Sequence, residues 1–449
     1  MTVESLPSNS PPPQKTKRRW LSVGALSAAS MVDFSESLAL SALWPQMHRS
    51  LNVSVGQLGP VAGIGELVAT LTLPLWGYAA DRFSRKWLLV FFTGIWGLWT
   101  AAIGFINTIP QLMVVRALAG LGLGVFLPTA FSLVGDLFDN KHRGRAIGII
   151  QACGMVGIMI TFGALPIFAE SDPEAWRWGF ILLGVASFIS ALLMLFLYDP
   201  PRGAAEPELQ DVVTTQANYR YNFKWRDLRG LVKIRSWWWL VVKDVLDGMS
   251  LLVFYRWAFP WLDELGLGET AVPVIIYIFV SLIVGQIVMG SLGDWLEQRF
   301  PVKGRLTLVF IGLAIQLPGS LLAFNANADN LPWLLMALGL FIIGSSASSE
   351  GVRWPIAQGV LSPELRGSGQ AFSLMISGLV NSVMLVISGS LVDQLGGIAP
   401  MLLVIFPIPI ILSLFAWLPL FRVYGADQAA LHRQLAKRRD TLMDERGAN

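Results

Sequence analysis

The chain has 449 residues, of which 54% are hydrophobic and 14% are charged, and its formal net charge is +3. A soluble domain typically has about 45–50% apolar and about 25% charged residues, so this composition excludes an ordinary water-soluble globular protein. The charged residues fall between apolar stretches of about 20 residues, the length that crosses a bilayer as a helix. The sequence therefore predicts an all-α membrane protein that crosses the bilayer many times.

Twelve apolar segments follow one another, and a longer polar linker separates the first six from the last six. The predicted spans are 21–47, 57–80, 87–107, 111–138, 146–169, 178–198, 237–262, 271–295, 306–326, 331–359, 368–394 and 399–422. The predicted domains are a disordered cytoplasmic tail at 1–20, a six-helix bundle at 21–198, a cytoplasmic linker at 199–236, a second six-helix bundle at 237–423 and a cytoplasmic tail at 424–449.

Lys and Arg are distributed unevenly between the two sets of loops. The tails, the linker and the loops on one side are rich in basic residues, whereas the predicted loops on the other side contain only Arg49 and Arg177. Basic loops stay in the cytoplasm. We therefore expect both termini and the linker to be cytoplasmic and the protein to lie in the plasma (inner) membrane.

The sequence contains no motif typical of an enzyme. It has no phosphate-binding G-x-x-x-x-G-K-[ST] loop, and its three His lack the spacing of metal ligands. We expect no metal site, no cofactor and no nucleic-acid partner. The expected partners are the lipid bilayer, a small or amphipathic substrate and protons.

Four motifs occur in chain order, and two of them are echoed in the second half by GSLGDWLEQRFPVKGR and LRGSGQA. The motifs are GYAADRFSRK at Gly77–Lys86, Arg116-x-x-x-Gly120-x-Gly122, Arg143-Gly-Arg145 and Trp176-Arg-Trp-Gly-Phe180. With these motifs and this repeat, the chain resembles the major facilitator superfamily. The resemblance implies twelve transmembrane helices in two pseudo-symmetric six-helix bundles and secondary active transport by alternating access, as a symporter or uniporter.

The resemblance also implies a gate at the turn after the second span. There, Asp81 is expected near a helix of the other half, and Arg85 and Lys86 are expected to pair with acids such as Asp136. Basic residues alone would satisfy the positive-inside rule, but that rule does not require Asp81. The predicted gate residues are Gly77, Asp81, Arg82, Arg85, Lys86, Asp136, Arg143, Gly290 and Asp294.

Ionisable residues inside the predicted spans need a partner, a water-filled cavity or neutralisation. Most of them fall in the first, fourth, seventh and tenth spans, which line the cavity in this superfamily. The predicted coupling residues are Asp33, Glu36, Glu66, Asp247 and Glu350. The predicted substrate-binding residues are Arg116, Lys243, Arg256, Arg353, Trp257 and Trp354.

Two alternatives concern these charged residues. Lys243–Asp247 and Glu350–Arg353 have the spacing of side chains that meet on one helix face, so they could simply neutralise each other. Asp33 and Glu36 are the best candidates for proton coupling. Two carboxylates in one site repel each other when both are ionised, which favours protonation of one of them.

Within the superfamily, the first-span Asp33, the GYAADRFSRK turn and the DPPRGAAE segment after the sixth span give a weaker likeness to Spinster-type lipid transporters. Those proteins carry Arg where this chain has Phe34 and Glu where it has Leu123. By this likeness an amphipathic lipid is the first candidate substrate, and an organic anion, a sugar derivative or a drug is the second. A receptor or scaffold that does not transport is the remaining alternative.

Overall fold

The structure is a computed structural model, which describes residues 13–138, 140–169, 172–200, 231, 233–361 and 366–447. Regular secondary structure in these residues is helical, with no strand. This confirms the predicted all-α fold class. The helices before the linker are α1 Pro13–Ser50, α2 Leu58–Arg82, α3 Arg85–Leu88, α4 Leu98–Ile103, α5 Ile109–Leu123, α6 Phe126–Leu137, α7 Asn140–Ala169 and α8 Trp176–Met194.

The helices after the linker cover the remaining predicted spans. They are α9 Arg235–Glu264, α10 Ala271–Arg299, α11 Gly304–Phe324, α12 Leu331–Ser346, α13 Glu350–Gln358, α14 Arg366–Leu395, α15 Ile398–Ile405, α16 Pro407–Trp417 and α17 Leu420–Gly447. α1 begins inside the predicted N-terminal tail, and α17 runs through most of the predicted C-terminal tail. The predicted linker lies mostly outside the described residues.

Four predicted spans are interrupted rather than continuous, and one of them is the twelfth, which is divided among α15, α16 and the start of α17. The fourth is divided between α5 and α6, and the tenth between α12 and α13. In the third, a π-helix at Leu89–Gly94 and a 3₁₀ turn at Ile95–Gly97 lie between α3 and α4. Irregular turns of this kind inside a helix often mark functional positions.

The interrupted fourth and tenth spans begin with the same type of helix N-cap. The Thr108 side chain accepts a hydrogen bond from the backbone N–H of Gln111 at the start of α5. The Asn330 side chain accepts one from Trp333 at the start of α12. Each helix also has a proline in its first turn, where the missing N–H needs no partner.

Nine helical stretches of the described chain are long and apolar enough to cross a membrane, and α12 is a shorter apolar helix. α1 and α9 cover the predicted first and seventh spans but are not among the nine. Their charged side chains, together with the serines of α1, lower their hydropathy. The first and seventh spans, which carry several of the candidate functional residues, therefore have a weak apolar signal.

The described residues form two compact units. The first draws on Met1–Ala39, Thr72–Thr161 and Ala175–Asn218, and the second on Leu40–Leu71, Phe162–Glu174 and Tyr219–Asn449. In the first unit, α7 packs closely on α1, since a Cβ at Gly157 would lie 2.1 Å from the Met31 carbonyl oxygen. In the second, the rings of Phe254, Phe324, Phe341 and Phe406 form an aromatic core.

Candidate functional site

The first unit brings together three of the predicted site residues. Glu36 of α1 is 5% exposed, and it interacts electrostatically with Asp33 on the same helix and with Arg116 of α5. Arg116 is itself only 1% exposed. Two candidate coupling acids and one candidate anion-binding residue thus belong to one unit, with Glu36 and Arg116 buried and Asp33 half-buried.

The Glu36 carboxyl group occupies space that a glycine leaves open. A Cβ added at Gly97 would lie 2.9 Å from Glu36 Oε1 and 1.9 Å from Ser187 Oγ. Thr100 and Ser187 are the neighbouring hydroxyl residues. A buried carboxylate is costly unless another charge compensates it, and Arg116 supplies a positive charge here.

In the second unit, the predicted Lys243–Asp247 pair is confirmed. Lys243 is fully buried and forms an ion pair with Asp247 one turn further along α9. Its Nζ atom lies 5.6 Å from the centroid of the Trp417 ring, and Asp247 Oδ1 accepts a hydrogen bond from Ser413 at 3.2 Å. With these contacts, Lys243 holds α9 against α16, which supports a structural role for it.

Arg353 of α13 pairs with Asp244 of α9. Asp244 also accepts a hydrogen bond from Ser373 Oγ of α14 at 2.7 Å. These side chains line a small cavity together with Trp237 and Gln370. The Glu350 side chain lies outside the described atoms, so its contact with Arg353 stays a prediction.

Arg256 and Glu66 form a further ion pair in the second unit, at 3.4 Å. Arg256 is 5% exposed, so its guanidinium is buried. The neighbouring Trp257 is fully buried, and its Nε1 donates a hydrogen bond to Ser388 Oγ at 2.9 Å. Trp257 therefore packs α9 against α14.

At the predicted gate, Arg85 is 2% exposed and forms ion pairs with Asp136 of α6 and with Asp199, beyond α8. The Asp136 contact confirms the pairing predicted from the sequence. Arg85 Nη2 also donates to the carbonyl oxygen of Pro200 at 2.8 Å. One arginine thus joins α3, α6 and the segment that follows α8.

The other gate residues have less extensive contacts. Arg82 is exposed and lies over the Tyr78 ring at 4.7 Å, and Lys86 lies 6.0 Å from the centroid of the Trp87 ring. Asp294 forms an ion pair with Arg305 at 2.6 Å. Both residues belong to the segment GSLGDWLEQRFPVKGR, which begins at Gly290 and repeats the gate motif in the second half. The side chains at Gly77, Asp81, Arg143 and Trp354 lie outside the described atoms, so their predicted roles stay predictions.

Several residues of these sites did not stand out in the sequence. Gly97 and Ser187 are small residues in apolar spans, a pattern equally typical of helix packing. Asp199 is the first residue of the DPPRGAAE segment. That segment contributed to the Spinster-type likeness, but it did not indicate that Asp199 pairs with Arg85. Asp393 accepts hydrogen bonds from Ser54 Oγ at 2.9 Å and from the Gly56 N–H at 3.2 Å.

Comparison with known proteins agrees with this arrangement. The chain is 26% identical over 404 residues to the probable sulfoacetate transporter SauU of Cupriavidus necator, covering 85% of this chain and 89% of that protein. It is 22% identical over 385 residues to the protein spinster of Drosophila melanogaster, covering 80% of this chain and 60% of the fly protein.

A solved structure shares the fold over nearly the whole chain. It is a bacterial homolog of the human lysosomal transporter Spinster, in an inward-facing and unoccupied conformation. The TM-score is 0.74 at 18% identity, and the match covers 95% of this chain and 99% of that chain. The fold is therefore the twelve-helix arrangement of two pseudo-symmetric six-helix bundles.

The Major Facilitator Superfamily model matches residues 25–375, which is most of the sequence. The match includes all four motifs of the sequence and the residues Asp33, Glu36 and Arg116. This chain belongs to the Major Facilitator Superfamily, and it is a multi-pass secondary active transporter that works by alternating access, not an enzyme.

Proposed function

We propose that this transporter carries small organic anions and couples their movement to protons. The observation that carries the proposal is the interaction of the buried Glu36 with the buried Arg116 and the half-buried Asp33 in the first unit. The guanidinium of an arginine presents a planar fork of donors that matches a carboxylate or a sulfonate. Glu36, which interacts with Arg116, and Asp33, which interacts with Glu36, are carboxyl groups that can take up a proton.

The proximity of these charges provides a mechanism for coupling. When Glu36 is ionised, it neutralises Arg116 and competes with a substrate anion for the guanidinium. When Glu36 is protonated, the positive charge of Arg116 is available to the substrate. Proton and anion therefore bind together, which is the requirement for symport. Both ligands leave together when the site opens to the other side.

The choice of substrate class is supported by the likeness to a probable sulfoacetate transporter, whose substrate carries a carboxylate and a sulfonate. A second candidate class is an amphipathic lipid, which the likeness to spinster favours. Phe34 and Leu123 replace charged residues that Spinster-type proteins carry, so the lipid alternative has less support. Sugar derivatives and drugs remain the other candidates from the sequence.

The orientation and the gate form part of the same proposal. We place both termini and the linker in the cytoplasm of a cell with this protein in its plasma (inner) membrane, because the basic residues cluster on that side. The bundles at 21–198 and 237–423 then close on the cytoplasmic side through the Gly77–Lys86 turn. Within the first unit, ion pairs with Asp136 and Asp199 hold Arg85, which lies in this turn.

Transport by the purified protein in proteoliposomes tests the proposal, with sulfoacetate as the first probe and a lysophospholipid as the second. We expect an inward proton gradient to drive sulfoacetate uptake. Glu36→Gln and Asp33→Asn should reduce the response to the gradient, and Arg116→Lys should raise KM because Lys lacks the fork. Asp263→Asn, an exposed acid in a surface ion pair, is the control.

Two results would contradict the proposal. Gradient-driven uptake that survives both acid variants would remove Asp33 and Glu36 from coupling. Transport of the lysophospholipid without transport of sulfoacetate would replace the organic anion by the lipid as the substrate class.

A further inference from the structure

The first turns of the C-terminal helix α17 lie against the rest of the second unit along one face. Leu420, Tyr424 and Leu431 are 0%, 4% and 7% exposed. Ala429 and Arg433, on other faces of the helix, are exposed. Positions 420, 424 and 431 share one side of an α-helix, because intervals of four and seven residues are about one and two turns. α17 is therefore docked on the protein at residues 420–431.

The carboxylate of Asp427 in this docked part caps the start of α9. It accepts a hydrogen bond from the backbone N–H of Ser236 at 2.8 Å and another from the Ser236 hydroxyl group at 2.7 Å. Ser236 is the second residue of α9, and Ile234, just before the helix, makes no capping hydrogen bond with its side chain. The first N–H groups of a helix lack partners within it and carry partial positive charge. Asp427 therefore supplies, from 191 positions away, the cap that the local sequence lacks.

Tyr424, on the same helix, lies where three other helices end or begin. A Cβ at Gly359 would lie 2.4 Å from Tyr424 Oη, so the phenol group covers the end of α13. The phenol also interacts electrostatically with Glu297 of α10 and Arg305 of α11. Glu297 accepts hydrogen bonds from the backbone N–H groups of Val302 and Arg305, at 2.9 and 3.2 Å, and thereby fixes the α10–α11 turn. Through Tyr424, α17 reaches both this turn and the end of α13.

We propose that residues 420–431 of α17 are a conformational strap, which ties the start of α9, the α10–α11 turn and the end of α13 together so that they move as one body. Asp427 and Tyr424 are three positions apart on one helix, so a displacement at either contact is passed to the other. In transporters of alternating access, a bundle rocks largely as a rigid body. The strap preserves that rigidity at the helix ends that it joins.

The position of the strap connects it to the parts of the second unit that carry charge. The α10–α11 turn belongs to GSLGDWLEQRFPVKGR, the segment that repeats the gate motif. α9 and α13 carry Asp244 and Arg353, which form an ion pair. The strap therefore links the gate repeat to the two helices that hold this pair, whichever substrate the transporter carries.

Hydrogen–deuterium exchange of the full chain in lipid nanodiscs tests the strap without a substrate. Asp427→Ala removes the cap, whereas Asp427→Asn keeps an oxygen that can accept the Ser236 N–H. Tyr424→Ala removes the phenol group at the other contact. The matched control is Arg433→Ala, since Arg433 is exposed on α17 and its Nε donates to the Ala429 carbonyl oxygen of the same helix at 3.3 Å.

We expect Asp427→Ala to accelerate exchange about tenfold at the start of α9, in the α10–α11 turn and at the end of α13, the effect of losing about one hydrogen bond to a charged group. Tyr424→Ala should accelerate exchange in the same three segments. Asp427→Asn should retain most of the protection, and Arg433→Ala should retain all of it.

Two results would overturn the strap and leave the proposed function intact. One is acceleration that stays at the start of α9 in Asp427→Ala and in the turn and α13 in Tyr424→Ala, because the two contacts would then act independently. The other is unchanged exchange at the start of α9 in Asp427→Ala, because the carboxylate would then not hold that helix.

Discussion

Glu66 of α2 and Arg256 of α9 form an ion pair of 3.4 Å, although 190 positions separate them in the chain. The pair connects a helix that precedes the linker with one that follows it, and both residues belong to the second compact unit. Arg256 is nearly inaccessible, whereas Glu66 retains 27% of its side-chain exposure. Water can therefore solvate the Glu66 carboxylate if the ion pair is lost, but it cannot reach the Arg256 guanidinium to the same extent.

Glu66→Gln should lower the stability of the protein by about 1–3 kcal/mol, because a buried charged group loses its charged partner. Thermal unfolding in detergent measures the change. Asp263→Asn is the control, since it removes an ion pair to Arg49 whose side chains are 59% and 38% exposed. Such surface pairs contribute at most about 1 kcal/mol. Equal shifts in the two variants would show that Arg256 is not held by Glu66.

The Arg85 cluster should depend on the shape of the guanidinium and not only on its charge. Arg85→Ala leaves Asp136 and Asp199 without their shared cation and should cost about 3–5 kcal/mol. Arg85→Lys should recover only part of this loss, because an ammonium is a compact charge without the guanidinium fork. Arg82→Ala, at an exposed position, is the control. Full stability of the Lys variant would contradict this reading.

The close approach of α2 to α14 predicts a strong effect of adding one methyl group. A Cβ at Gly59 would lie 2.3 Å from the Leu385 carbonyl oxygen and 2.7 Å from Gly389 Cα, both backbone atoms. Gly59→Ala should therefore lower the melting temperature and reduce transport. Gly148→Ala is the matched control, since nothing lies within 4 Å of that Cβ and alanine favours a helix by about 1 kcal/mol. An unchanged melting temperature in Gly59→Ala would show that α2 and α14 can move apart to admit the methyl group without a loss of stability.

Glu264, at the end of α9, predicts a pH dependence of stability. Its carboxyl oxygens accept hydrogen bonds from the Ile398 N–H, but partial burial of the carboxyl group raises its pKa above the ordinary value of 4.5. With a raised pKa in the folded state, the stabilisation from this group is complete below pH 4.5 and is lost as the pH rises through the folded pKa.

Glu264→Gln keeps an oxygen that can accept the Ile398 hydrogen bond but does not titrate. The melting temperature of the wild type should therefore fall relative to this variant as the pH rises above 4.5. Melting curves across pH for the two proteins measure the difference. A constant difference at every pH would show that Glu264 titrates alike in the folded and unfolded chain.

The all-α class, the helical segments and their motifs could be predicted from the sequence because each depends on local pattern. Apolar runs of bilayer length identified the helices even where charged residues weakened the signal, as in α1 and α9. The pairing of Lys243 with Asp247 was predictable because both lie on one helix at a spacing of four residues. The pairing of Arg85 with Asp136 required the family resemblance as well.

Contacts between distant segments could not be predicted in this way. Arg353 contacts Asp244 on another helix, and the spacing of residues along the chain gave no indication of this pair. Neither Glu66 with Arg256 nor Asp199 with Arg85 has a fixed sequence separation, so no pattern in the chain specifies either pair.

By itself, the sequence determined that this chain is a helical membrane protein, because the length and polarity of each segment are set by the bilayer. Only the tertiary structure decided which buried charges meet and which small residues make room for them. The space at Gly97 shared by Glu36 and Ser187 exists because three helices converge there. Such contacts depend on how the helices pack in three dimensions, and no periodic pattern in the sequence indicates them.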